Sequence, residues 1–66
     1  MLNIKYFAID CNQVYVLVNE PLGWIFRQVD DHSFGFNGHH KTAMSAVQDV
    51  IDHNVLIING KSGRPI

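Results

Sequence analysis

Residues 42–54, TAMSAVQDVIDHN, carry the pattern that decides the fold. Ala43, Ala46, Val47, Val50 and Ile51 recur at the spacing that puts them on one face of a helix. Ser45, Gln48, Asp49 and Asp52 lie off that face and are expected in water. Thr42 suits the N-cap, because its hydroxyl can accept from a first-turn N–H. Asn54 suits the far end, because Asn tolerates a left-handed backbone. A helix of about three turns is unstable alone and must lay its apolar stripe on something.

What precedes it reads as strands. Residues 3–9 alternate loosely, with Ile4, Tyr6 and Ala8 on one side and Phe7 and Ile9 on the other. Asp10, Cys11, Asn12 and Gln13 form a turn, and residues 14–18 return as a second strand, making a hairpin. Val14, Val16 and Val18 share one face of it, and Tyr15 and Leu17 the other. With both faces apolar, this strand belongs in the middle of the sheet. Pro21 and Gly23 mark the next turn. Residues 24–29 are a third strand, with Trp24 and Phe26 opposite Ile25, Arg27 and Val29. Residues 33–37 are a short fourth, where Gly35 suggests a bulge or a close backbone approach. Asn37 to Lys41 read as a link to the helix. Residues 55–58 are a last strand. The expected fold is α+β: a two-layer sandwich of an antiparallel sheet of four to five strands with one helix on one face, in the order β-β-β-β-α-β. Residues 1–58 form the domain and residues 59–66, with two Gly and a Pro, a flexible tail.

Composition narrows the function. Sixty-six residues make one small domain. A net charge of −1 lacks the basic excess typical of duplex binders. Cys11 is the only cysteine, which excludes an intrachain disulfide framework. The start has no charged region followed by an apolar run, and no stretch nears the ~18 apolar residues of a membrane span. A cytoplasmic location and no membrane partner are expected. Only 17% of residues are charged, so apolar surface is expected to stay exposed until a partner covers it.

No catalytic constellation emerges. His32, His39, His40 and His53 lack metal-ligand spacing, so no metal or other cofactor is assigned. Gly60, Lys61 and Ser62 match the end of a phosphate-binding loop, but Val55 stands where that motif needs Gly, and too few residues follow for its helix. Cys11 sits beside Asp10, which opposes thiolate formation, and has no adjacent base. Asp30 and Asp31 read as a turn pair. An enzyme is not expected.

The aromatic residues carry more information. One helix covers one sheet face, so the other face is left with whatever rings point that way. Trp, Tyr, Phe and Arg dominate binding hot spots. Trp24, Phe26 and Arg27 are the first candidates for partner contacts, followed by Tyr15, His39 and His40. Were Trp24 and Phe26 to lie under the helix, Ile25, Arg27 and Val29 would take their place. The size and layout are similar to small phage-encoded proteins that bind and inhibit host enzymes, a resemblance of architecture only. It implies a non-catalytic protein-interaction module that docks on a larger protein. Two alternatives stand beside it. One is a single-stranded nucleic-acid binder using the same rings with Lys5, Arg27, Lys61 and Arg64. The other is a structural homodimer.

Overall fold

The computed structural model describes residues 6–60 and 64–65. Among these the elements are β1 (Tyr6–Asp10), β2 (Gln13–Glu20), β3 (Gly23–Gln28), β4 (Gly35–His40), α1 (Ala43–Asp52), β5 (Leu56–Asn59) and β6 (Arg64–Pro65). They form a single antiparallel sheet in the order β4-β3-β2-β1-β5-β6, with α1 on one face. The α+β architecture and its element order are as expected, with six strands in place of four to five. The sixth falls in the stretch read as a tail. Gly60 lies in a turn after β5, and Pro65, whose ring fixes an extended-compatible φ, pairs with Ile58 at the sheet edge.

Local chemistry sets the helix ends. Thr42 is extended (φ −129°, ψ 155°), and its Oγ1 accepts from the Ser45 N–H at 3.1 Å. At the far end Asn54 takes φ 61°. Its N–H donates to Ile51 O at 2.9 Å, and Val55 N–H donates to Val50 O at 3.2 Å. That crossed pair satisfies carbonyls the helix would otherwise leave open. Val55 then packs against the core.

The stripe of Ala46, Val47 and Val50 is buried against Ala8, Leu17, Phe26 and Ile57 of the sheet. Register explains why these residues meet. Leu17 lies opposite Phe26, Phe26 opposite Phe36, and Ala8 opposite both Tyr15 and Ile57, so all share the helix-side face. Ile51, expected in the stripe, falls at its margin and is exposed. Asp49, expected in water, is half-buried and bonded to Asn37 of β4.

The two sheet edges differ. β4 continues past Asn37 to His40, where a link was expected. The Trp24–His40 and Phe26–Phe36 pairs enclose one residue on β3 and three on β4, namely Asn37, Gly38 and His39. Asn37 takes φ 60° to absorb the excess. The opposite edge is β6, two residues long.

Candidate interaction surface

The sheet has a second face, which the helix does not touch. Strand alternation and register arrange it in rows. Leu56, Ile9 and Val14 form the first row, and Val29 extends it, its N–H bonded to Val14 O at 2.9 Å. Ile58, Phe7, Val16, Arg27 and Gly35 form the second. Val18 and Ile25 form the third. A water-facing antiparallel sheet normally alternates apolar with polar, and this one does not. Val14, Val29 and Leu56 are exposed, while Phe7, Ile9, Val16, Val18 and Ile58 are half-buried by their neighbours.

Ile25 is buried at 3% exposure although it lies on this open face. A close approach by β4 covers it: a Cβ on Gly35 would stand 2.6 Å from Ile25 Cδ1 and 3.2 Å from Arg27 Nη1. Gly35 is therefore a close-approach glycine, as its position between two Phe suggested.

Among the described residues, the charge on this face is one cluster shared by β2, β3 and β4. Arg27 Nε and Nη2 donate to Glu20 Oε2 and Oε1 at 2.9 and 2.8 Å, a two-pronged ion pair. His39 Nε2 lies 2.9 Å from the same Glu20 Oε1. Arg27, and after it His39, holds the Glu20 carboxyl at about 2, against an ordinary value of 4.5. The Arg27 guanidinium is pushed up by the same bond. A depressed folded-state value means that this contribution to stability is complete above pH 4.5 and disappears as pH falls toward 2. Urea midpoints measured across that window should fall less steeply in Glu20→Gln than in the parent chain. Parallel curves would show that the ion pair does not form in solution.

A second polar cluster ties β4 to the helix on the other face. Asp49 Oδ2 accepts from Asn37 Nδ2 at 2.7 Å, with His40 Nε2 at 3.4 Å and His53 Nδ1 3.6 Å from Oδ1. The Asn37 bond, with help from His53 and His40, lowers the Asp49 carboxyl. Neighbouring His39 and His40 thus serve opposite faces of the sheet, each against its own carboxylate.

The structure divides the residues singled out in the sequence. Trp24, Phe26 and Tyr15 lie on the helix face. Phe26 is 1% exposed and has no surface to give a partner. Trp24 and Tyr15 are half-buried against the core, Tyr15 edge-on to Phe36 with ring centres 6.0 Å apart. The reason is register: Trp24 and Phe26 pair with Asn19 and Leu17, which are on the covered side. Arg27 and His39 fall on the open face, and His40 against the helix. Of the basic set, Arg64 is exposed in β6, and Lys5 and Lys61 lie outside the described residues. The open face also carries Phe7, Ile9, Val14, Val16, Val18, Leu56 and Ile58, none of which the sequence singled out as a contact. Their signal was the period-two run Val14, Val16, Val18, which could not say which face the helix takes.

No family model, curated protein or solved structure matches this chain. Among the described residues there is no pocket and no group of three or more His, Cys, Asp or Glu side chains placed to hold a metal. No helix among them is long and apolar enough to cross a membrane.

Proposed function

We propose that this chain is a non-catalytic protein-interaction module that works through the open face of its sheet. One observation carries the reading. Eight apolar side chains (Leu56, Ile9, Val14, Val29, Ile58, Phe7, Val16 and Val18) stand together on a face that no described element covers. Covering such a face removes apolar surface from water, and that drives association without any need for charge. A module of this kind acts by occupancy, and inhibiting a larger protein by covering its surface falls within that mode. Single-stranded nucleic acid has less support, because Arg27, which stands on the face, is held by Glu20.

Capture from a cell lysate tests the reading. The tagged chain is compared with Val16→Lys, at the centre of the face, and Met44→Lys, at an exposed apolar position on the helix. Protein captured by the parent and by Met44→Lys, lost in Val16→Lys and insensitive to added salt is the expected result. Capture indifferent to Val16→Lys, or nuclease-sensitive and abolished by salt, would remove the open face from the account.

A further inference from the structure

Asn37 and Asn59 are each followed by Gly, and the fold treats the two pairs differently. We propose that Asn37–Gly38 is a site of spontaneous covalent modification, at which loss of ammonia turns Asn37 into aspartate or isoaspartate and so releases the end of β4 from α1. The chemistry starts in the sequence. The backbone nitrogen of Gly38 can attack the side-chain carbonyl carbon of Asn37, because Gly38 has no side chain to block the approach. Asn3, Asn12, Asn19 and Asn54 are followed by Ile4, Gln13, Glu20 and Val55, whose side chains crowd that nitrogen.

In the first step a bond forms between Gly38 N and Asn37 Cγ, and the Cγ–Nδ2 bond breaks. Nδ2 leaves as ammonia, carrying the proton that Gly38 N gives up. The product is a five-membered imide ring. Water then opens the ring, its hydroxyl going to one ring carbonyl carbon and its proton returning to Gly38 N. Attack at Cγ leaves aspartate. Attack at the main-chain carbonyl carbon leaves isoaspartate, with the backbone rerouted through the side chain and longer by a methylene. Water enters, ammonia departs, and nothing is oxidised or reduced.

Ring closure needs Asn37 to turn about ψ and Gly38 to follow. The sheet permits this at Asn37. Asn37 and Gly38 lie where three residues of β4 face one of β3, so the ladder does not hold them in regular pairing. Both are exposed, and nothing lies within 4 Å of a Cβ on Gly38. Asn37 has already left the extended region, at φ 60°. Asn59 is the contrast. It is half-buried within β5, paired with Tyr6 on one side and Arg64 on the other. Two strands hold its backbone extended.

The consequence follows from the partner of Asn37. Its Nδ2 donates to Asp49 Oδ2 at 2.7 Å. An ionised aspartate at position 37 has no hydrogen to give, and it sets a second negative charge against the first. A bond that ties β4 to α1 becomes a repulsion between them.

The test holds the purified chain at mildly alkaline pH over weeks, folded and in guanidinium chloride. Peptide mapping by mass spectrometry then reads the amide-to-acid change at each Asn, and enzymatic methylation reads isoaspartate. In the folded chain Asn37 should convert several times faster than Asn59. In denaturant the two, each followed by Gly, should convert at similar rates. Gly38→Ala should slow conversion of Asn37 in both conditions. A folded chain in which Asn37 converts no faster than Asn59 overturns the site. The release is read on Asn37→Asp, whose amide exchange along β4 should accelerate by at least about tenfold, the worth of a hydrogen bond to a charged group. Adding Asp49→Asn to Asn37→Asp puts a donor opposite an acceptor again and should recover part of that loss. If Asn37→Asp alone does not fold, a folded double variant reads the same repulsion. Exchange at the parental rate in Asn37→Asp overturns the release, as does a double variant no better than the single one.

Discussion

Phe26→Ala should leave this chain largely unfolded at room temperature. Phe26 is among the largest fully buried side chains, at the centre of β3, with Leu17 and Phe36 beside it and Val47 and Val50 above. Truncating a buried Phe typically costs about 3–5 kcal/mol, the lost transfer energy plus the cavity left behind. A domain of 66 residues has about 3–10 kcal/mol to lose. The core here is one layer of side chains between a three-turn helix and a sheet, so no second layer is available to collapse into the gap. Urea unfolding followed by circular dichroism gives the answer. Met44→Ala, at a position 60% exposed, should stay within about 0.5 kcal/mol of the parent. A Phe26→Ala chain with a cooperative transition near the parental midpoint would mean that Phe26 is not the keystone of this core.

Gly23→Ala should have the next largest effect, through the backbone. Gly23 opens β3 with φ +130°, a conformation L side chains rarely adopt. A Cβ there would stand 2.4 Å from His40 O and 3.2 Å from His40 C. Those are main-chain atoms that can yield only if the end of β4 moves. Conformational strain alone costs about 1–3 kcal/mol, and displacing β4 adds the loss of the Trp24–His40 pairing and the His40–Asp49 contact. We expect a loss of at least about 2 kcal/mol, with amide exchange accelerated first along β4. Gly38→Ala is the matched control, since nothing lies within 4 Å of a Cβ at that position. Equal stability of the two variants would show that β4 does not close on Gly23.

These two residues also show what the sequence could and could not disclose. Gly23 was legible as a turn residue from its neighbour Pro21 and its place between two apolar runs. Its need to stay glycine was not, because His40 lies far along the chain. The helix was legible almost to the residue: Thr42, the Ala46–Val47–Val50 stripe and Asn54 are local signals that tertiary structure did not override. Phe26 was legible as a strand residue on the face of Trp24. Which face the helix would choose was not, since Val14, Val16 and Val18 are as apolar as Tyr15 and Leu17 across the same strand. That ambiguity is why the expected contacts began with Trp24, Phe26 and Arg27 and kept Ile25, Arg27 and Val29 as their replacement should the helix cover the first two. The end of β4 was missed for another reason. Gly38 disfavours a strand, and Asn37 and His40 are held there by Asp49, a partner that no local pattern reveals.

The two sheet edges bear on how this chain can fail. Fibrils grow when a long, regular outer strand templates the next molecule. The outer side of β4 is distorted where three residues face one, and Asn37 is turned out of the extended conformation. The outer side of β6 offers two residues, one of them Pro65 with no N–H to give. Neither edge can seed a ladder. Concentrating this chain should therefore not drive it to filaments built by edge pairing.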